Sequence, residues 1–472
     1  MCILKYLLFC CVICISCSHA SLHQKQLMHA LDFSAANSKE LEKVLKHYEH
    51  DSLKLEAAKF LIRNMPHCYS YQQGGEMDSV KRVRTCYSPF GQIDQTYARR
   101  WGHYTYRNLL KIYDAHIITA EYLIDNIDRA FDNWQKRPWN RSLSFEDFCE
   151  YLLPYRIGDE PLEEWRELYE KKYGYLLDSI YKGSDVVEAA NLVSKHLQEP
   201  VFIYCEDFEL PHIGPRYLFS HRYGSCVDAA DIVTYAFRAV GIPCMEDTDA
   251  RGGHVWNVVR DTTGRDVPIW YIASEAVRGS RDTGGYKRGK VYRPMYGFQE
   301  EKAAHLGDDW KSVPLLFYHP YMKDVSYAYY PDTLRILTGI PDGEVCYLAH
   351  FHEAHWWSCA CARSASGKME IPNLESELVY LPMKYTKGNY YPSGFPFWFA
   401  GGEINTFLPD WEKTVKVRLY RKYPVYGWLR SFMGHVVGGT FEGSMTKNFE
   451  DGKTLYEIAD TPVIARNRIF LN

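Results

Sequence analysis

Cys226 stands in Tyr223-Gly224-Ser225-Cys226-Val227-Asp228, and His254 follows in Gly253-His254-Val255-Trp256-Asn257. A thiol and an imidazole can together open an acyl bond. The thiolate attacks the carbonyl carbon, and the imidazole takes the thiol proton and later hands it to the leaving group. A third polar group normally holds the far nitrogen of such an imidazole. Ser225 and Asp228 make a Ser-x-x-acid box, which places Cys226 in the first turn of a helix. Unpaired N–H groups and the helix dipole favour an anion there, so the position favours thiolate near neutral pH. The same N–H groups would stabilise an oxyanion.

The elements that must carry these residues are legible on both sides. Ala229, Ile232, Val233, Ala236, Phe237 and Val240 form the buried stripe of the helix, and Gly241 with Pro243 stops it. His254–Val259 alternates as a strand, Asp261–Gly264 turns the chain, and Val267–Ser274 returns as a second strand.

The Gly-Ser-Cys helix ending in Arg238-Ala239-Val240-Gly241-Ile242-Pro243, followed by Gly253-His254-Val255-Trp256-Asn257, resembles the transglutaminase-like superfamily over residues 200–280. Ala57-Ala58-Lys59-Phe60-Leu61-Ile62-Arg63-Asn64-Met65-Pro66 and Leu152-Leu153-Pro154-Tyr155-Arg156 are similar to exported bacterial relatives of that superfamily. The resemblance implies a papain-like core with a helix-borne Cys and strand-borne His and Asp. It also implies acyl transfer at amide bonds by transamidation, deamidation or proteolysis, with no cofactor and no metal. The substrate would be a protein, a peptide or a glycan-linked amide. The superfamily places its Asp four positions after a Trp of the returning strand. Counting from Trp270 reaches Ser274, with Glu275 beside it. A shift of one residue turns a strand side chain to the opposite face, so Glu275 reaches His254 only where the strand ends or bulges. A carboxylate stabilises imidazolium whereas a hydroxyl only orients the ring, which ranks Glu275 ahead of Ser274. Asp261 and Asp266 sit at the turn and at the start of the strand. The rival reading is a catalytically inactive surface scaffold or glycan-binding protein that keeps the fold without the chemistry.

Across its 472 residues the chain is expected to be multidomain. A helical N-terminal region (21–200) precedes the α+β transglutaminase-like core (201–280). A connecting segment (281–325), an all-β sandwich (326–425) and a partial segment (426–472) follow. In the helical region, Asn37 with Glu40 reads as one N-cap pair and Ser144 with Asp147 as another. A stripe of Leu53, Ala57, Phe60 and Leu61 ends at Asn64-Met65-Pro66, and one of Leu123, Ile127, Ala130, Phe131 and Trp134 stops before Pro138. Pro161 is expected at the first turn of a helix carrying Leu162, Trp165 and Tyr169, and Ser184–Gln198 as the last helix. Glu344–Leu348, Trp356–Ala362, Leu378–Pro382 and Val415–Arg421 read as strands of the sandwich. Val437-Gly438-Gly439-Thr440-Phe441-Glu442-Gly443-Ser444, leading to Leu455-Tyr456-Glu457-Ile458, resembles the opening of a discoidin-type, galactose-binding-like domain.

A net charge of −4 argues against a nucleic-acid partner, which needs a dense basic patch. The 38 Tyr, 22 Phe and 12 Trp suit glycan contact in the C-terminal β region as well as core packing. Tyr6–Ile15 behind Lys5 is too short to span a bilayer and has the proportions of a signal-peptide core. Cys14-Ile15-Ser16-Cys17 resembles a lipobox with Cys17 acylated, while Ser18-His19-Ala20 would serve an ordinary signal peptidase. The expected location is therefore the cell envelope or outer surface, with membrane attachment by a lipid anchor at Cys17 only. Of the 14 cysteines, nine lie beyond Cys17, an odd and irregularly spaced set that makes no disulfide framework. His350, His352 and His355 with Cys359 and Cys361 lack paired CxxC spacing, and they read as core or exposed polar groups in place of a zinc site.

Overall fold

The computed structural model describes residues 22–88, 93–101, 104–205, 208–250, 253–270, 275–280, 287–299, 315–337, 339–352, 355–410, 412–413, 439–446 and 450–457. The chain divides into two compact units. The first takes residues up to Tyr286 with Val291–Gly307 and Tyr318–Ala328; the second takes Lys287–Lys290, Asp308–Phe317 and Tyr329–Asn472. Helices and several antiparallel sheets make it a multidomain α+β protein with a strand-rich C-terminal region.

The first unit opens with helices α1 (residues 22–33), α2 (Ser38–His47), α3 (Ser52–Asn64), α4 (Gly75–Arg84) and α5 (Gln95–Trp101). Next come α6 (Ala120–Lys136), α7 (Phe145–Tyr151), α8 (Arg166–Tyr175), α9 (Val186–Leu197), α10 (Pro215–Ser220) and α11 (Cys226–Val240). Ser144 caps α7 by accepting from the Asp147 N–H at 3.0 Å. Asn37 makes no such cap. Its amide is donated to the carbonyls of Ala115 and Ile118 at 3.0 and 2.9 Å, so long-range partners outcompete the local one. The helix expected from Pro161 starts only at Arg166. The intervening residues are held by neighbours: Tyr122 donates to the Glu163 carbonyl, the Glu163 carboxylate accepts from the Arg216 N–H, and the Trp165 indole donates to the Tyr155 carbonyl.

Helix α11 is buried on every side, with only Val227 half-exposed. Its apolar stripe joins a core with Val193 and Leu197 of α9. Burying side chains such as Ile232 or Phe237 stabilises by roughly 1.5–3 kcal/mol each. Gly241 ends the helix in the left-handed conformation (φ +83°), where a Cβ would stand 2.8 Å from Arg137 Cγ and 2.9 Å from the Asn133 carbonyl. Asn133 and Arg137 donate to the carbonyls of Ala239 and Val240 at 3.0 and 2.8 Å; Trp139 and Asn140 donate to that of Gly241 at 2.9 and 3.0 Å. The carbonyls that a helix end leaves open are thus satisfied by α6 and the turn after it.

Beside α11 lies a five-stranded antiparallel sheet in the order β7-β6-β5-β8-β9. Its strands are β5 (Cys244–Asp249), β6 (Val255–Arg260), β7 (Asp266–Ile269), β8 (Val291–Pro294) and β9 (Met322–Asp324). Two short pairs complete the unit: β1 (Tyr69–Tyr71) with β2 (Lys111–Tyr113), and β3 (Ile203–Tyr204) with β4 (Tyr223–Gly224). The segment 281–325, expected to be a connector, supplies β8 and β9. Arg293 of β8 is fully buried and bonds Asp247 of β5 at 2.6 and 3.0 Å and Asp266 of β7 at 2.7 Å. This ion triad ties a late segment into the sheet.

The second unit holds a six-stranded antiparallel sheet. It contains β11 (Val345–His352), β12 (His355–Arg363), β14 (Leu378–Thr386), β15 (Asn389–Pro392), β16 (Phe397–Ala400) and β17 (Glu403–Thr406). β10 (Asp332–Leu337) pairs with β13 (Lys368–Leu374), and β18 (Thr440–Gly443) with β19 (Lys453–Glu457). Trp356–Ala362 and Leu378–Pro382 fall within β12 and β14, and Glu344–Leu348 overlaps β11 from Val345 onward; Val415–Arg421 lies outside the described residues.

Candidate functional site

Cys226 is the first residue of α11, and Ser225 before it is extended (φ −91°, ψ −169°). Ser225 Oγ accepts from the Val227 N–H at 3.3 Å, and Asp228 Oδ2 accepts from the Ser225 N–H at 2.7 Å. The capping box expected from the sequence is formed, reciprocal bonds included. Gly224 is required by the same turn, because a Cβ there would collide with the Asp228 carboxylate. Asp228 has a second duty: Arg84 of α4 donates to it at 2.9 Å, with both side chains almost wholly buried. Arg84 also reaches the Phe208 carbonyl at 3.1 Å.

Asn257 of β6 donates to Ala230 and Thr234 of α11, and Arg238 near the helix end donates to the Cys244 carbonyl. Since Cys244 pairs with Val259, the last turn of α11 lies beside the end of β6 and its first turn beside the start. Cys226 and His254 therefore stand at the same end of the sheet. Cys226 is buried and His254 half-buried. The imidazole ring lies 4.7 Å from that of Trp270 and 5.6 Å from that of Trp256.

Glu275 is exposed, and its neighbour Ala276 is pinned through backbone N–H and C=O to Asn191 of α9 at 2.8 and 2.9 Å. Ser274 lies outside the described residues. Asp266, opposite Arg260, is at the far end of β6 from His254, about 20 Å along the strand. It is committed to Tyr151 and Arg293. Asp261 is committed to its own turn, accepting from Thr263 and Arg265, and to Arg278. Among the described residues no group of three or more His, Cys, Asp or Glu side chains could hold a metal ion. None of the nine cysteines beyond Cys17 is in a disulfide. No described helix is long and apolar enough to cross a membrane.

A cavity of about 520 Å³ lies against the first turn of α11. Ser225, Val227 and Asp228 line it, as do Glu246 and Thr248 of β5 and Val255 of β6; Cys226 does not. Sequence patterning missed the polar groups gathered here. His212 Nδ1 lies 2.9 Å from the fully buried Asp231 of α11. Burial works against the charged imidazolium, but the Asp231 carboxylate outweighs it and holds the His212 pKa well above the usual histidine value. Burial together with Asp231 pushes the Glu246 carboxyl up to about 8, so it is protonated at neutral pH. Arg156 of the Leu152–Arg156 segment also lines the cavity, paired with the buried Asp114 at 2.5 Å. A signal did exist in the sequence: Asp231 interrupts the apolar run of α11, where a carboxylate needs a partner.

No protein-family model matches this chain, and neither curated proteins nor solved structures gave a match.

Proposed function

We propose that the first unit carries out cysteine-dependent acyl transfer or hydrolysis at amide bonds, as the transglutaminase-like superfamily it resembles does. The Cys226 thiolate attacks the amide carbon. His254, having taken the thiol proton, protonates the departing amine, and a thioester on Cys226 remains. Water or an amine then attacks the thioester, the acid or a new amide leaves, and the thiol is restored. The observation that carries this reading is the placement of Cys226 as the first residue of a capped helix, at the end of the sheet where His254 stands. The fixed charges of the turn are set against each other: the helix dipole favours thiolate, while Asp228 opposes it and is offset by Arg84. Glu275 is the third member we assign, ahead of Ser274, since Asp261 and Asp266 are bonded elsewhere. The substrate is a protein, a peptide or a glycan-linked amide.

The test is alkylation of Cys226, located by peptide mapping, from about pH 4 to about pH 10. Substantial reaction below neutrality, with a midpoint moved upward in His254→Ala, is the expected result. A thiol that titrates near 8.5 with or without His254 would refute the enzyme reading. A second reading is favoured by one observation: Cys226 is buried and does not line the cavity that both its neighbours line. In that reading the fold serves as a binding scaffold, and an inert Cys226 alongside ligand binding would decide for it.

A further inference from the structure

Most charges that line the cavity against α11 match off in pairs, and two are left over. Arg84 is paired with Asp228 at 2.9 Å, Arg156 with Asp114 at 2.5 Å, and His212 with Asp231 at 2.9 Å. Arg238 has no carboxylate partner. Its Nε donates to the carbonyls of Tyr151 and Cys244, both at 3.2 Å, and its Nη1 to that of Arg156 at 3.3 Å. Carbonyls satisfy N–H groups without cancelling the charge, and Nη1 makes this one bond with two N–H groups to give. Glu246 also lines the cavity, but it accepts from Thr234 at 2.7 Å and forms no ion pair among the described residues. Arg238 is therefore a buried cation whose charge the chain leaves open.

The opposite remainder is Asp159. Its Oδ1 accepts from the His212 N–H at 2.9 Å, and no cation pairs with its carboxylate among the described residues. Its place is fixed, because the His212 ring packs on Gly158 so closely that a Cβ there has no room. A simple anion would satisfy Arg238 and be repelled by Asp159; a simple cation would do the reverse. A molecule that carries both charges answers both. The volume of about 520 Å³ falls among small-ligand sites, which span roughly 300–1,000 Å³. Leu210, Val227, Val255 and Met295 add apolar wall that suits a small side chain.

We propose that this cavity binds a zwitterion, a free amino acid or a short peptide with both termini free, its carboxylate on Arg238 and its ammonium on Asp159. The Cys226 thiol does not line the cavity, so this assignment and the acyl-transfer reading fail separately.

Calorimetric titration of the full chain with L-alanine, L-alanyl-L-alanine and tri-L-alanine tests it, since the three differ in the span between their charges. At about pH 6.5 both termini of each are charged. At least one should bind at millimolar concentration or below, and which one does separates the amino acid from the peptide. The desamino analogue and the C-terminal amide of that probe each lack one charge, and each should bind at least about tenfold more weakly. Asp159→Asn should weaken the probe about tenfold and erase its advantage over the desamino analogue, while the amide stays weak. Arg238 holds carbonyls at the end of α11, so the amide probe tests its part without a substitution that would disturb the helix. No binding by any of the three at millimolar concentration would overturn the proposal. So would analogues that bind as tightly as their parent, or an Asp159→Asn variant that binds unchanged.

Discussion

Asp228 ties the start of α11 to α4, and its removal can be costed from the bonds it makes. It accepts from the Ser225 N–H at 2.7 Å, from Ser225 Oγ at 3.2 Å and from Arg84 at 2.9 Å. In Asp228→Ala the lost cap costs about 0.5–2 kcal/mol. Arg84 is then left buried with the Phe208 carbonyl alone, and breaking such a pair costs about 3–5 kcal/mol. The two losses share one carboxylate, so the total should be about 4–6 kcal/mol. Asp228→Asn keeps an acceptor for the cap and should cost about 3 kcal/mol. Arg84→Met leaves Asp228 with both Ser225 donors and the helix dipole, and should cost about 1–3 kcal/mol. The double variant Arg84→Met/Asp228→Asn should cost at least about 1 kcal/mol less than the sum of its parts. Hydrogen exchange of peptides spanning residues 226–240, read by mass spectrometry beside thermal melts, reports the helix itself and avoids treating two units as one transition. Asp228→Ala within about 0.5 kcal/mol of the parent, or additive costs in the double variant, would refute the coupling.

Three other expectations are independent of this one. The folded-state pKa of Glu246, about 8, stands above the roughly 4.3 of an unfolded glutamate. Its contribution is therefore fully present below the unfolded value and is lost as pH rises through about 8. Urea midpoints should fall over that interval in the parent and less in Glu246→Gln, and equal falls would refute the assignment. Gly241→Ala should cost more than about 2 kcal/mol, from left-handed strain plus contacts at 2.8 and 2.9 Å; Gly264→Ala (φ +77°, nothing within 4 Å) should cost about 1 kcal/mol, and equal melting shifts would show that crowding is irrelevant. For the proposed anchor, Cys17→Ala should release the protein from membranes and abolish acyl labelling; equal release of both forms without lipid would leave the ordinary secretory signal.

The parts of the fold that read correctly from sequence were those decided within a few residues. The Ser225–Asp228 box, the Gly241 stop, the Ser144 cap and the turn at Asp261–Gly264 are local devices, and each has the predicted geometry. What escaped was decided by distant partners. Asn37 gave up its cap for carbonyls more than seventy residues on, at Ala115 and Ile118. The apolar stripe of α11 was plain, yet Asp228, Asp231, Thr234 and Arg238 are buried with it. Arg84 is 144 residues from Asp228, and no periodicity announces such a pair. β8 and β9, of four and three residues, carry too little alternation to be seen in a segment rich in Gly, Arg and Lys. The cavity shared the same fate, because it is assembled from loops and strands scattered along the first unit.

The ion triad at Arg293 sets an order on folding. The bonds from Arg293 to Asp247 and Asp266 wait on a late segment, since Arg293 follows Asp247 by 46 residues; Asp266 meanwhile has Arg260 of β6 at 3.2 Å. Until β8 docks, both carboxylates go without their Arg293 bonds, so the three strands before it are held less firmly. Closing that loop is an entropic cost met before the contacts reward it, which makes the step slow relative to hairpin formation. Docking of one arginine thus fastens the late strand to two of the earlier three.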